Sequence, residues 1–345
     1  MILGEVFSGG CYCSRLASGC PPALSKKKGL PWEAKGESPN HYMEGSVLMV
    51  EIIQRIGSLM LAVMLAVGFA ATTALAEIKL GVLAKRGAPQ AMAEWGPTGE
   101  YLTAKLGEPV TIIPLKFEAI EPMVKERKVD FVLANSAFFV GLEDKYKAKA
   151  VATMINSREG KSLDKFGGVI FVRAGSSINT LADIKGKKFM IVDKKSFGGA
   201  HMAWKVFLDN GINPEKDFAA FVEGGKHDNV VLAVQNGAMD AGTVRSDTLE
   251  RMQAEGKIKM ADFKIINQVK DDFPFVHSTP LYPEWPIAAA AHVKPETAAK
   301  MTEALKAMPA DSPAAKAAKV VGWAAPANYA IVRELLRKIG VGAAE

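Results

Sequence analysis

Cysteine is almost absent from this chain of 345 residues, which contains three, at Cys11, Cys13 and Cys20. From residue 21 onward the sequence can form no disulfide, and it offers no thiolate ligand and no cysteine nucleophile. The Cys-x-Cys spacing at the N-terminus could suggest a metal site, but two neighbouring cysteines alone are a weak signal. We therefore expect neither a metal nor another cofactor.

Long basic tracts and catalytic motifs are also missing. The chain has 43 basic and 37 acidic residues, and its net charge of +6 favours anionic partners weakly. No long basic run suggests a nucleic acid. No Gly-x-Ser-x-Gly, His-Glu-x-x-His or Walker sequence occurs. We therefore predict a protein that is not an enzyme and binds no nucleic acid.

The one sustained apolar run, residues 59–71, is typical of a secretion signal. It is too short for a comfortable membrane span. Arg55 precedes it, and Ala74-Leu75-Ala76 forms a small-x-small cleavage pattern before Glu77. We predict cleavage after Ala76 and a periplasmic mature protein, with a retained membrane anchor as the alternative.

The position of this signal bears on the start of the chain. A signal normally begins its protein, so the predicted signal peptide 49–76 makes Met49, or Met43, the expected first residue. Residues 1–48, which show no sustained periodicity, are then a mis-assigned extension. On this interpretation the three cysteines are not part of the mature protein.

From Glu77 onward, short apolar segments alternate with helical patterns. Segments 78–83, 110–115 and 129–134 are predicted strands. Such alternation favours an α/β fold with a parallel sheet covered by helices. Ligands of these sheets bind beyond the carboxyl ends of the strands, where this chain has loops at 85–88, 117–118 and 135–138.

The same alternation begins again after residue 167 and ends in a helical tail. Further strands are predicted at 169–172, 189–192, 218–222, 239–244 and 263–269. The C-terminal segments 295–308, 314–321 and 329–339 are predicted helices.

Ser196-Phe197-Gly198-Gly199 stands between the predicted strand 189–192 and an apolar helical pattern. The first amides of a helix lack internal partners and carry the positive end of its dipole. A serine hydroxyl beside two glycines would let an oxyanion approach those amides. The alternative is a serine N-cap followed by a flexible turn.

Several ordered stretches together resemble one family. They are Trp95, 129–131, 178–186, Asp193 with Ser196, 227–229, 232–234, 239–241 and 280–287. In this order they resemble the periplasmic phosphonate- and phosphite-binding proteins of ABC importers over nearly all of residues 77–345. The resemblance implies a two-lobed type II periplasmic binding fold, a Venus flytrap whose lobes are each a mainly parallel sheet covered by helices.

The resemblance also implies where the lobes begin and end. Lobe I is expected to comprise residues 77–166 and 285–345, and lobe II residues 167–284. The crossings near 166–168 and 280–286 would then act as hinges.

The residues that match the family's ligand site differ from its pattern. Its Ser-Thr-Ser-Gly run is replaced by Ser196-Phe197-Gly198-Gly199, and its two tyrosines fall on Phe117 and Phe166. Its histidine and first acid match His227 and Asp247. Its second acid, which helps to hold a ligand amine, falls on Trp285, and a neutral amide is replaced by Arg245. The full set of expected ligand-site residues is Arg86, Phe117, Ser136, Phe166, Ser196, Phe197, Gly198, Gly199, His227, Asp228, Arg245, Asp247 and Trp285.

These departures imply a ligand without an amine. A buried ammonium needs pairing, and one of the two carboxylates that would pair it is missing from the matching positions. Arg245 adds a planar donor for an oxyanion, but it could instead only pair with Asp247, two residues away. His227 could likewise only cap a helix, and the aromatic residues could only pack in the core.

The sequence therefore predicts a monomeric solute-binding protein. It would capture a small oxyanion of the phosphonate, phosphite or phosphate type and deliver it to an ABC transporter permease. The alternative is a ligand-sensing protein for a sulfur or phosphorus oxyanion that works with a separate sensor kinase.

Overall fold

The computed structural model describes residues 77–341, together with the isolated pair Ile56 and Gly57. The predicted extension 1–48, with its cysteines, and the predicted signal 49–76 lie outside the described residues apart from that pair. Within the described residues, no helix combines the length and the apolar character needed to cross a bilayer.

Residues 77–341 alternate between strands and helices, as the sequence predicts. The strands are β1 (Ile78–Leu83), β2 (Val110–Leu115), β3 (Phe131–Leu133), β4 (Lys149–Arg158), β5 (Lys161–Leu163), β6 (Lys165–Phe166), β7 (Gly168–Arg173), β8 (Lys188–Ile191), β9 (Ala220–Glu223), β10 (Ala241–Arg245), β11 (Phe263–Ile266), β12 (Tyr282–Pro283), β13 (Pro286–Ala289) and β14 (Val320–Ala324). The α-helices are α1 (Ala88–Leu106), α2 (Ile120–Lys125), α3 (Ser136–Tyr146), α4 (Met202–Asp209), α5 (Pro214–Asp217), α6 (His227–Gln235), α7 (Thr248–Ala254), α8 (Pro295–Lys306), α9 (Pro313–Ala318) and α10 (Ala330–Lys338).

Lobe I is built on a seven-stranded sheet. Its strand order is β14-β4-β13-β3-β1-β2, and β5 pairs with β4. Leu80, Val82 and Phe131 are wholly buried in this sheet, and burying each such side chain contributes about 1.5–3 kcal/mol. Gly107, at φ 71°, ends α1 in the left-handed conformation.

Lobe II is built on a five-stranded sheet in the order β11-β7-β10-β8-β9. Its core is aromatic. Phe189 meets Phe207 edge-on, with ring centroids 5.3 Å apart, and it lies 5.2 Å from Phe218. These contacts fix β8 against α4, so the segment between them is held on both sides.

The two chain crossings between the lobes pair with each other. Strands β6 and β12 form an antiparallel two-stranded ladder, with Tyr282 opposite Phe166. The Ser136 hydroxyl of lobe I donates to the Pro283 carbonyl at 2.6 Å. On the lobe II side, the Gly167 amide donates to the Ser246 hydroxyl at 3.0 Å.

The α/β, two-lobed fold is confirmed, but the sheets are mixed rather than mainly parallel. Parallel pairing joins β1 to β2 and β3, and β8 to β9 and β10. The other pairs of both sheets are antiparallel. Strands such as β13 and β14 enter lobe I after the chain returns from lobe II, and they run against their neighbours.

The predicted helix at 314–321 is wrong in its second half. Helix α9 ends at Ala318, Lys319 is left-handed at φ 55°, and Val320 begins β14. Trp323 pairs with Met154 across the β14–β4 ladder. Sheet pairing with a distant strand therefore decides the structure of this segment, which local apolar spacing could not show.

Candidate functional site

A cavity of about 260 Å³ lies between the lobes, and we call it the interlobe cavity. Lobe I contributes the β1–α1 loop and the end of β4. Lobe II contributes the start of α6, the end of β10 and helix α7. The charged and imidazole side chains that line it are Lys85, Arg86, Glu94, Arg158, Glu159, His227, Arg245, Asp247, Arg251, Glu255 and Lys319.

Lys85 is a cation without a close counter-ion. Among the described residues, no carboxylate lies within 4 Å of its ammonium, which stands 5.0 Å from the centre of the Trp285 ring. Burial, followed by the charges of Arg158 and Arg245, lowers the pKa of Lys85 to about 8. A bound anion would relieve this repulsion. Lys85 was not among the residues predicted from the sequence, although it lies beside Arg86 in a predicted ligand loop.

His227 is the first residue of α6 and lies on the cavity wall. Its Nδ1 accepts a hydrogen bond from the Arg245 amide at 3.2 Å. Burial, with the charges of Lys85 and Arg245, lowers the pKa of His227 to about 3, so the ring is neutral at pH 7. Its one proton must then be on Nε2, which has no protein acceptor within the described residues. The neutral ring therefore has an N–H free for a ligand.

Arg245 ends β10, and its guanidinium is largely occupied by the protein itself. Nη1 donates to Glu284 at 3.1 Å, and Nη2 pairs with the second oxygen of the same carboxylate. Nε lies 3.6 Å from Asp247 and makes no hydrogen bond within the described residues. The guanidinium lies over the ring of Phe166, 4.1 Å from its centre. The salt bridge to Asp247 that the sequence suggested is thus present, but Glu284 is the closer partner.

Glu284 is the residue of this site that the sequence analysis missed. It is 0% exposed, and it also accepts hydrogen bonds from the Asn156 side chain and the Trp285 amide. The resemblance placed the second acid on Trp285 and therefore treated it as lost, whereas the preceding residue supplies a carboxylate. The sequence does contain a signal for Glu284, because it is the one charged residue in the apolar stretch 282–291.

Asp247 connects the two lobes. It accepts a hydrogen bond from Arg158 of lobe I at 2.7 Å. Although burial alone would raise it, the charges of Arg245, Arg158 and Lys85 hold the pKa of Asp247 below its usual value. Its backbone is left-handed at φ 75°, a conformation that is strained for a residue with a side chain and is often found at functional positions.

Arg86 and Asp228 belong to a second group of ion pairs at the rim. Arg86 lies 3.5 Å from Glu255 and 3.7 Å from Asp228. These two contacts join the β1–α1 loop of lobe I to α6 and α7 of lobe II. Asp228 also pairs with Arg251. Arg86 lines the cavity, while Asp228 stands behind it among cations.

The Ser196–Gly199 segment lies beneath Arg245 rather than on the cavity wall. Ser196 caps a π-helical turn, Phe197–His201, and its hydroxyl accepts from the Gly199 amide at 3.2 Å. A Cβ on Gly198 would lie 2.9 Å from Phe166 and 3.2 Å from the Cβ of Arg245. All four residues are buried. The glycine is therefore needed for close packing under the arginine.

The remaining residues that the sequence assigned to the ligand site pack against or bond to other parts of the protein. Phe117 packs against Phe138, with centroids 6.1 Å apart, and Ser136 bonds the β12 backbone. Phe166 supports Arg245, and Trp285 lines a smaller adjoining cavity of about 30 Å³ with Lys85. Of the thirteen predicted site residues, those that line the interlobe cavity are Arg86, His227, Arg245 and Asp247.

Metal coordination finds no support within residues 77–341. No group of three or more His, Cys, Asp or Glu side chains there is arranged to hold an ion. Asp247 and Glu255 at the interlobe cavity, and Glu284 beside it, pair with arginines and lysines instead.

Comparisons with known proteins agree with this fold. The sequence profile of a family described as the phosphonate periplasmic substrate-binding protein of ABC transporters matches residues 80–329. A binding protein component of an ABC phosphonate transporter from Pseudomonas aeruginosa is similar in structure, with a TM-score of 0.63 and 19% identity over 76% of this chain and 86% of that one. PhnD1 from Prochlorococcus marinus in complex with methylphosphonate has a TM-score of 0.62 and 15% identity, over 76% of this chain and 98% of that one.

A relative of a different kind is similar in sequence. The tetrathionate sensor histidine kinase TtrS of Salmonella typhimurium is 34% identical over 282 residues, which is 81% of this chain and 46% of that protein. This chain therefore spans less than half of the kinase's length.

Proposed function

Because this chain belongs to the phosphonate-binding family of periplasmic substrate-binding proteins, we propose that it captures a small oxyanion without an amine between its two lobes. The observation that carries the proposal is the ammonium of Lys85, which has no carboxylate of residues 77–341 within 4 Å and faces the same cavity as the free Nε2–H of His227. A charge and a neutral donor would together hold an anion.

The charge distribution of the cavity supports an anion over a cation. Asp247 is engaged by Arg158 and Arg245, and Glu255 by Arg251 and Lys257. These carboxylates are already paired, so they offer a cationic ligand little. Among residues 77–341, no carboxylate lies within 4 Å of the Lys85 ammonium, and removing a charge from water without pairing it is costly.

The ligand would contain phosphorus or sulfur, and each choice has its own support. The family description and the methylphosphonate complex favour a phosphonate-type ligand carried to an ABC permease. The 34% identity to a tetrathionate sensor kinase favours a sulfur oxyanion and a separate sensor kinase as partner. We propose import as the first function and sensing as the second. In either function the protein would act as a periplasmic monomer, released by cleavage after Ala76.

Titration calorimetry with a panel of anions tests the proposal. The panel comprises phosphate, phosphite, methylphosphonate, sulfate, thiosulfate and tetrathionate. Lys85→Met should weaken binding of the best anion by about 1.5–3 kcal/mol, the usual contribution of a hydrogen bond to a charged group. Lys300→Met, on the exposed face of α8, is the matched control and should bind as the wild type does. Failure of every anion to bind, or equal affinity in both variants, would contradict the proposal.

A further inference from the structure

Glu284, Asp247 and Phe166 form what we call the cation cage. The two carboxylates approach one guanidinium, that of Arg245, from different sides, and the Phe166 ring covers its face. Two carboxylates and an aromatic face are the groups that bind organic cations in proteins. We propose that Arg245 determines specificity: it fills the cation cage from within and so excludes ligands that carry an ammonium or guanidinium group.

An empty cage should strongly destabilise the folded protein. Glu284 is 0% exposed, and its carboxylate faces Arg245 with both oxygens. Breaking a buried pair by removing one partner leaves an uncompensated charge, which is strongly destabilising. A cation must therefore occupy the cage. The chain supplies it on β10, next to the cavity where a ligand's amine would otherwise enter.

Packing holds the guanidinium in place. The ring of Phe166 and the tightly fitted Gly198 lie under the arginine, and the Arg245 amide is bonded to His227. A guanidinium is also planar and matches a carboxylate with two parallel donors, which an ammonium cannot do. A cationic ligand would have to displace this side chain from both carboxylates.

The first test truncates Arg245 and supplies the removed part of its side chain as a free ion. Arg245→Ala removes the atoms that correspond to ethylguanidinium, so this ion should raise the melting temperature of the variant and leave that of the wild type unchanged. N-ethylurea, which has a similar shape without the charge, should have no effect on either protein. In Arg245→Ala/Glu284→Gln the preference for the cation should be lost. A folded Arg245→Ala that responds equally to the ion and to the urea would overturn the proposal.

A second pair of variants covers the case in which Arg245→Ala does not fold. Arg245→Lys keeps a cation and should melt well above Arg245→Met near neutral pH, although below the wild type because an ammonium lacks the two parallel donors. Equal melting temperatures for the two variants at neutral pH would contradict an obligatory cation in the cage.

The exclusion of amines rests on the proposed oxyanion-binding function, whereas occupation of the cage does not. An aminoalkyl phosphonate should bind Arg245→Ala at least about tenfold more tightly than the wild type, because close charge pairs change affinity by such factors. Equal or weaker binding to the variant would overturn the exclusion. If no anion binds the wild type, the ethylguanidinium experiment still decides whether the cage holds a cation.

Discussion

The backbone amide of Arg245 donates a hydrogen bond to Nδ1 of His227 across 3.2 Å. This contact fixes which ring nitrogen carries the proton, since Nδ1 can accept only when it is unprotonated. The free N–H is then on Nε2, at the wall of the interlobe cavity. Arg245, which fills the cation cage, thus also orients a donor for an anion.

Replacing His227 should weaken anion binding. His227→Phe removes the Nε2–H donor and should reduce the affinity for the best anion by about 1.5–3 kcal/mol in calorimetry. Asn229→Ala, two residues along α6, leaves the imidazole in place and serves as the control. Unchanged affinity in His227→Phe would show that the ring does not contact the ligand.

His227 should also lower the free energy of unfolding of the protein in acid. The folded pKa of His227 is lowered to about 3 from an unfolded value near 6.5, so the unfolded chain binds the proton more readily. The stability associated with the neutral ring is therefore present above pH 6.5 and is lost as the pH falls toward 3. Denaturant unfolding at several pH values should show a smaller loss in His227→Phe over this range. Identical pH profiles would contradict a lowered pKa for His227.

Binding of the anion should be coupled to proton uptake by Lys85. Its pKa in the free protein is about 8, and a nearby anion favours the charged form, so the bound pKa is higher. Affinity should therefore fall as the pH rises above about 8, and calorimetry in buffers of different ionisation enthalpy should detect protons taken up near pH 8. Lys85→Met should abolish both effects. Affinity that rises between pH 8 and 10 would contradict this assignment.

The arginine pairs between the lobes should favour the closed arrangement. Arg158 binds Asp247, and Arg86 lies near Asp228 and Glu255. The double variant Arg86→Gln/Arg158→Gln should have a larger radius of gyration than the wild type in X-ray scattering without ligand, as expected for hinge opening. Lys145→Gln, which breaks a pair within lobe I, should leave the scattering profile unchanged. A double variant with the wild-type profile would mean that these pairs do not hold the lobes together.

Ser196→Ala separates the two interpretations of the Ser196–Gly199 segment. Because the serine caps its helical turn away from the cavity wall, we expect a loss of about 1 kcal/mol in unfolding free energy and nearly unchanged anion affinity. A large loss of affinity in the folded variant would instead assign the segment to the ligand. Gly198→Asp would not distinguish these outcomes, since its side chain would disturb Phe166 and Arg245 in either case.

Local patterns in the sequence were enough to predict most strands, whereas the two-lobed fold was implied by the family resemblance. The resemblance also brought Arg245, Asp247 and His227 into one site. Local patterns could not predict the partner of Arg245, because Glu284 is 39 residues away and reaches it only through the crossing between lobes. For the same reason they missed Arg158, which meets Asp247 only when the lobes are together. Matching positions to a family pattern also fails when a functional group shifts by one residue, as the carboxylate at 284 does.

The β6–β12 ladder has a mechanical consequence. Two separate connections would allow the lobes to twist, slide and splay independently. Because the two crossings are hydrogen-bonded to each other, we expect them to bend as one strip and to restrict relative motion to rotation about a single axis near this ladder. Glu284 follows β12 directly, so any rotation of the strip would move the carboxylate that holds Arg245. The geometry of the cation cage would then report the angle between the lobes.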